Sequence, residues 1–124
     1  MNELVMSPLG HTWLIDLDGC VLSHNGHLSG KDRVLESARD FLATLPATDK
    51  IILLSARDES FRKTTSAFLT REGIRFDLMI FGLPHGERIL INDKKPSGLD
   101  TAIAINLIRD LGPAGLRLRT DERL

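Results

Sequence analysis

The fold is decided by the stretch TWLIDLDG at residues 12–19. Its apolar first half is typical of a buried strand, and two acids and a glycine follow. Carboxylates at the end of a buried strand are costly unless they are paired, hydrogen-bonded or bound to a metal. The stretch therefore predicts a site built around Asp16 and Asp18, with Gly19 allowing a sharp turn after them.

The rest of the chain alternates helix and strand patterns. Apolar runs predict strands at 12–17, at 51–54, within 76–81, at 88–91 and, in the tail, at 116–118. Helical spacing of apolar residues predicts helices over 29–45, 59–72 and 99–111, and Ser29 and Asp32 resemble a capping box for the first of them. Residues 1–11 are expected to be only a lead-in. This order predicts one α/β domain over residues 1–124, with a mainly parallel sheet.

The composition is that of an ordinary soluble protein. The chain has 124 residues, of which 42% are apolar and 27% charged, and its net charge is -1. This charge gives no electrostatic case for nucleic acid or an anionic membrane, and no apolar run approaches the roughly 18 residues of a membrane span. The single cysteine, Cys20, and the absence of a signal-peptide pattern suit a cytoplasmic protein.

Polar residues follow three of the predicted strands. They are Asp16 and Asp18, Ser55 and Arg57, and Asn92 and Asp93. The carboxyl ends of parallel strands meet at one edge of a sheet, and ligands bind there in open α/β folds. The sequence therefore predicts that these side chains converge on one site.

The acids of this site suit phosphate chemistry. Asp16 and Asp18, at alternate positions, flank one small volume, and Asp93 adds a third carboxylate. Oxygen ligands without a soft ligand suit Mg²⁺, and phosphate is then the natural substrate group. One carboxylate can attack phosphorus while the other protonates the leaving oxygen and then activates water.

The phosphoryl oxygens also need a hydroxyl group and a cation. Ser55 supplies the hydroxyl group. The candidates for the cation are Arg57, Arg88, Lys94 and Lys95.

Together these motifs resemble the haloacid dehalogenase (HAD) superfamily. The resemblance is carried by DLDG at 16–19, LSAR at 54–57 and ILIND at 89–93, and it extends over about 12–109. It implies a three-layer, Rossmann-like, capless core with a short flap at 19–29, and a phosphomonoesterase that acts through an aspartyl-phosphate. Residues 86–106 are also similar to small capless phosphatases of sugar or capsular polysaccharide biosynthesis.

The resemblance also implies residue roles. Asp16 would be the nucleophile and Asp18 the general acid and base. Ser55 would bind the phosphoryl group. Asp16, Asp93 and the main-chain carbonyl of Asp18 would hold Mg²⁺.

The chain departs from the family pattern at the basic residue and at one acid. Arg88 is the positional candidate for the family's Lys or Arg, with Lys94 or Lys95 as the alternative. Asn92 replaces the first of two acids that often occur in the last motif. A capless site is open, so we expect a large phosphorylated substrate or a second subunit that covers it.

Two other functions stay open. A receiver-like signalling domain has about this length and an acidic pair after its first strand, and Asp58 would then be the phosphoacceptor. A HAD-like domain can also bind a phosphorylated ligand without turnover. Cys20 is expected to be a packed residue and not a nucleophile.

Overall fold

The structure, a computed structural model describing residues 2–124, is an α/β arrangement of two small parallel sheets and two α-helices. The strands are β1 (Asn2–Met6), β2 (Thr12–Asp16), β3 (Lys50–Leu54), β4 (Leu78–Ile80) and β5 (Leu116–Thr120). The helices are α1 (Glu36–Thr44) and α2 (Arg62–Arg71). No helix in this described part of the chain is long and apolar enough to cross a bilayer.

The larger sheet has the strand order β2-β3-β4, and all three strands are parallel. Its register places Asp16 beside Leu54 and Leu54 beside Ile80. The crossovers that carry α1 and α2 join strands in the same direction, as parallel pairing requires. The residues that follow β2 and β3 therefore leave the sheet at the same edge, as the sequence predicts.

The core is formed by apolar side chains of this sheet, of the two helices and of the loops between them. Its buried members include Leu17, Leu22, Leu42, Ile51, Leu53, Leu69 and Met79. Thr65 and Leu69 of α2 are buried, and Gly73 follows the helix in the left-handed conformation typical of a terminating glycine. Phe41, Phe61 and Phe68 pack partly buried against this core.

The smaller sheet pairs the two ends of the described chain. β1 pairs in parallel with β5, from Asn2 beside Leu116 to Met6 beside Thr120. The tail strand is thus confirmed, whereas the expectation of a mere lead-in before Thr12 is wrong. The partner of β1 lies more than a hundred residues away, and a local apolar pattern carries no signal of such a partner.

The first helix begins at Glu36, so the predicted capping box at Ser29 is wrong. Ser29 instead ends a short 3-10 helix (Gly26–Ser29), and its hydroxyl group donates to the Gly26 carbonyl at 3.0 Å. Asp32 does not cap a helix because its carboxylate is bonded to Arg57. The β2–α1 connection (residues 17–35) is therefore longer than the sequence predicts.

Neither the predicted strand at 88–91 nor the predicted helix at 99–111 forms. The side chains of Ile89 and Ile91 are 82% and 90% exposed, so this apolar run is neither paired with a sheet nor packed against the core. An amphipathic helix draws most of its stability from the face that it buries. With no fourth strand to widen the sheet, residues 99–111 lack such a face, and Ile108 and Leu111 are exposed.

A buried carboxylate fastens the amino end of β2 to the loop before β3. Asp49 accepts hydrogen bonds from Trp13 Nε1 at 2.9 Å and from the His11 backbone N–H at 3.1 Å. Burial by itself raises the pKa of Asp49, but these hydrogen bonds and the charges of His11 and Arg75 outweigh burial and leave the pKa lowered.

Replacing Asp49 with Asn is expected to lower the free energy of unfolding at pH 7 by about 1–3 kcal/mol, because the two donors bond different Asp49 oxygens and an asparagine would present its NH2 group to one of them. The folded pKa of Asp49 is lowered, so its stabilisation is present above the unfolded pKa of about 3.9 and is lost as the pH falls through the folded pKa. Urea titrations should therefore show the deficit shrinking below about pH 4. Asp40→Asn, on the exposed face of α1, is the matched control. A deficit that is equally large in the control, or constant with pH, would contradict this role.

Candidate functional site

The polar residues that end β2 and β3 form two neighbouring groups at the carboxyl edge of the larger sheet. Asp16 is the last residue of β2, and Ser55 directly follows β3. Backbone hydrogen bonds from Leu17 to Leu54 (2.8 Å) and from Ser55 to Ile80 (2.9 Å) extend the strand pairing past the last strand residues. Asp18 therefore leaves the sheet in a fixed position, with Ser55 within reach.

The chain turns sharply after Asp18 because Gly19 adopts a left-handed conformation, with φ of +86°. A Cβ atom at Gly19 would lie 3.2 Å from Cγ of Arg109, which packs against the turn. The Gly19 N–H donates to the Leu22 carbonyl at 2.7 Å, and the Leu22 N–H donates to the Leu17 carbonyl at 2.9 Å. This closed turn starts the β2–α1 connection and keeps both acids at the edge.

The first group is centred on the buried guanidinium of Arg57. Its Nε and Nη2 donate to Asp18 at 3.1 and 2.8 Å, and its Nη2 and Nη1 donate to Asp32 at 2.7 and 2.9 Å. Nη1 also donates to the Thr65 hydroxyl group at 3.0 Å. An arginine has five N–H donors, and these five contacts use all of them. Arg57 was predicted as a phosphate ligand, but in this arrangement it has no free N–H and its side chain is only 1% exposed.

Ser55 belongs to the same group. Its hydroxyl group donates to Asp18 at 3.2 Å and accepts from the Arg57 backbone N–H at 3.0 Å. The residue is buried, and its main chain is bonded to Ile80 and Leu83 on the neighbouring strand and loop. The structure thus brings the predicted hydroxyl group to the acid pair, where it holds the Asp18 carboxylate.

The second group is an ion pair between Asp16 and Arg88. Nη2 and Nε of Arg88 donate to one Asp16 oxygen at 3.1 and 3.3 Å, and Nη1 donates to the Pro84 carbonyl at 2.6 Å. The two side chains are 38% and 35% exposed, so solvent reaches both partners. Burial and the negative charge of Asp18 raise the pKa of Asp16, although the contact with Arg88 opposes them. Among the four candidate cations, Arg88 is the one that this structure pairs with Asp16.

The other predicted site residues lie apart from the acid pair. The contacts of Asp93 are with its own loop, where its N–H donates to Asn92 and its carbonyl accepts from the Thr101 hydroxyl group. Lys94 pairs with Asp100 at 3.1 Å. Within residues 2–124 no group of three or more His, Cys, Asp or Glu side chains is arranged to hold a metal ion.

Arg88 and Asp93 cannot both lie at the carboxyl edge of the sheet if they belong to one strand. A strand advances about 3.3 Å per residue, so the ends of a strand over 88–93 lie about 16 Å apart. A parallel strand that brought Asp93 to the carboxyl edge would therefore carry Arg88 to the opposite edge. The structure has Arg88 at the carboxyl edge, and the following residues are irregular.

The donor set does not fit the predicted three-carboxylate magnesium site. One Asp16 oxygen is bonded to Arg88, both Asp18 oxygens are bonded to Arg57, and Asp93 is not brought to them. Guanidinium groups already provide the positive charge that a metal ion would supply to these carboxylates.

Solvent reaches the edge of the sheet at Asp16 and Arg88, whose side chains are 38% and 35% exposed. Two clefts of the molecule, of about 280 and 340 Å³, have other linings: His11, Trp13 and Asp49 contribute to one, and Leu4 and Ile103 to the other. A ligand of the acid pair would therefore approach it directly from solvent.

Three side chains of the site could not be found from the sequence. Asp32 resembles a helix cap and Thr65 a core residue, and both bond Arg57. Asp110 accepts from the His24 N–H at 2.7 Å, while its own N–H donates to the Gly19 carbonyl at 2.9 Å. No local pattern distinguishes these residues from ordinary capping or loop residues.

Comparison with protein-family models, curated proteins and solved structures finds no match to this chain. The resemblance to the HAD superfamily therefore rests on the sequence motifs alone, and within residues 2–124 the structure brings only the first two of them together.

The thiol of Cys20 is expected to be unreactive in the folded protein. Burial, with the nearby carboxylates of Asp16, Asp18 and Asp110, raises its pKa to about 11. At pH 8 we expect reaction with Ellman's reagent to be roughly 100-fold slower than in urea, where a cysteine titrates near its ordinary value. Asp16→Asn should accelerate the reaction and Asp40→Asn should not. Equal rates for the folded and unfolded wild type would contradict the raised pKa.

Proposed function

We propose that the chain is a HAD-type phosphatase that hydrolyses phosphate monoesters through an aspartyl-phosphate on Asp16. The observation that carries the proposal is the partly exposed pair of Asp16 and Arg88, with 3.1 Å between the carboxylate oxygen and Nη2. A carboxylate and a guanidinium group lie side by side at an open sheet edge. Such a pair suits a phosphoryl group, because the carboxylate can attack phosphorus while the guanidinium group binds the equatorial oxygens.

Asp16 and Asp18 have different roles in the reaction. An oxygen of Asp16 forms a bond to phosphorus as the bond from phosphorus to the ester oxygen breaks, and Asp18 gives that oxygen a proton. Water then attacks phosphorus, its proton passes to Asp18, and the Asp16 carboxylate is released with inorganic phosphate. As negative charge develops on the phosphoryl oxygens, the N–H groups of Arg88 stop donating to the Asp16 oxygen and donate to the phosphoryl oxygens instead.

The finer description of the fold belongs to the same proposal. The three parallel strands and their helical crossovers support a capless, three-layer HAD core. The substrate class is a phosphorylated small molecule, such as a sugar phosphate or a related metabolite of polysaccharide biosynthesis. A cytoplasmic location and a second subunit over the open edge are further parts of the proposal.

Mg²⁺ is included as the cofactor on the resemblance alone. Because the donor set in the structure does not fit the predicted metal site, no step described above uses a metal. Comparing assays with Mg²⁺ and with EDTA tests the cofactor separately from the roles of Asp16 and Arg88.

Phosphate binding without turnover is a second candidate function. It is favoured by the position of Asp93, which is not brought to Asp16 and Asp18. A receiver-like function has less support, since Asp58 is exposed and its carboxylate accepts from the Ser60 N–H at 2.9 Å in a turn after β3.

A screen over many phosphate monoesters tests the proposed reaction. We expect release of inorganic phosphate by the wild type and no release by Asp16→Asn, because an amide does not attack phosphorus, and the difference between assays with Mg²⁺ and with EDTA shows whether a metal is required. Asp58→Asn should keep wild-type activity. If no ester is hydrolysed in an Asp16-dependent way, the enzyme proposal fails. Binding of an ester without its hydrolysis would then support the second candidate.

Arg88 is expected to be the phosphate cation of the reaction. Arg88→Gln should lower kcat/KM about 100-fold or more, a typical loss for one charge-stabilising donor, and Arg88→Lys should recover part of it. Lys94→Gln is the matched control because Lys94 pairs with Asp100, and kcat/KM should stay within about threefold of the wild type. A larger loss for Lys94→Gln than for Arg88→Gln would reassign the cation.

A further inference from the structure

We propose that Asp32 is a positioning residue that acts through Arg57 to fix the carboxylate of Asp18 for proton transfer. The inference rests on the proposed hydrolysis of phosphate monoesters. It gives the β2–α1 connection a role in the reaction that no motif in the sequence assigns to it.

The guanidinium of Arg57 is held by two carboxylates at once. Its Nη2 donates to Oδ1 of Asp18 at 2.8 Å and to Oδ1 of Asp32 at 2.7 Å, while Nη1 donates to Oδ2 of Asp32 at 2.9 Å. Two parallel N–H···O bonds to one carboxylate fix the plane of a guanidinium group. The bidentate contact with Asp32 therefore sets the direction in which Arg57 presents Nε and Nη2 to Asp18.

Asp32 is itself held by the chain around it. A Cβ atom on Gly26 would lie 3.1 Å from an Asp32 oxygen and 2.8 Å from the Lys31 carbonyl oxygen, so the backbone approaches the carboxylate closely. The Lys31 N–H donates to the Gly26 carbonyl and the Ser23 N–H to the Arg33 carbonyl, both at 2.9 Å. The connection thus forms a closed loop that presents the Asp32 carboxylate to Arg57.

The effect reaches both oxygens of Asp18. Oδ1 accepts from Nε and Nη2 of Arg57, and Oδ2 accepts from the Ser55 hydroxyl group and from Nε. A group that transfers a proton must be held within about 0.5 Å of its productive position. Without Asp32, Arg57 keeps its contacts with Asp18 and Thr65 but loses the one bidentate contact that holds the guanidinium group independently of Asp18.

A comparison of two leaving groups tests this role. p-Nitrophenolate leaves phosphorus without a proton, whereas the alkoxide of β-glycerol phosphate needs one from Asp18. The value of kcat/KM reports the steps up to aspartyl-phosphate formation, where the leaving oxygen receives its proton. We expect Asp32→Asn to lower kcat/KM for β-glycerol phosphate roughly 10- to 100-fold and for p-nitrophenyl phosphate by less than about threefold.

Arg57→Lys is the second variant, because a lysine keeps the charge but cannot bond both carboxylates in a fixed plane. It should show the same selective loss. The double variant Asp32→Asn/Arg57→Lys should lose no more than Arg57→Lys alone, since the effect of Asp32 passes through Arg57. Circular dichroism and thermal unfolding show which variants are folded at the assay temperature, and Asp40→Asn controls for the change of charge.

Each outcome supports or overturns the inference. Selective, non-additive losses support it. Equal losses for the two esters would indicate a general structural effect, losses that multiply in the double variant would show that Asp32 acts independently of Arg57, and an unchanged Asp32→Asn would remove its role. Each of these three results overturns the inference while the wild type still hydrolyses both esters. The proposed function itself fails only if no ester of the screen is hydrolysed in an Asp16-dependent way.

Discussion

The buried guanidinium of Arg57 is the constraint on which the arrangement of the site depends. A charge is tolerated inside a protein only when its partners replace the water that it has lost. Here the partners come from three separate elements: Asp18 after β2, Asp32 in the β2–α1 connection and Thr65 in α2. Removal of one carboxylate from such a group typically costs about 3–5 kcal/mol, because the remaining charge is left buried without compensation. Arg57 therefore fixes the positions of these elements relative to one another.

The second arginine is held much more loosely. Arg88 and Asp16 are both partly exposed, and an ion pair of this kind contributes at most about 1 kcal/mol. Arg88 can accordingly change partners at little cost when an anion arrives, which Arg57 cannot do. The two arginines thus differ in their surroundings: Arg57 is held among buried partners, whereas Arg88 forms a partly exposed ion pair.

The predictions that held were those in which a local pattern and the sheet geometry agree. Parallel strands meet at their carboxyl ends, so Asp18 and Ser55 were expected to lie together, and they do. The failures are of a different kind. A Ser-x-x-Asp pattern is the same whether the aspartate caps a helix or bonds a distant arginine, so Asp32 was misread. The apolar run at 88–91 indicates a strand, but it does not indicate whether that strand will pair with the sheet. The partner of β1 is too distant along the chain for a local sequence pattern to indicate it.

The pairing of β1 with β5 bears on the order in which the chain folds. Asn2 has its partner at Leu116, so this sheet closes a loop that spans nearly all of the described residues. Contacts between such distant residues form late, because the entropy of closing the loop is lost before the contacts are gained. β1 therefore has no strand partner until β5 has been synthesised. Meanwhile β2, β3 and β4 can already assemble around Arg57, so the site can form before the two ends of the chain meet.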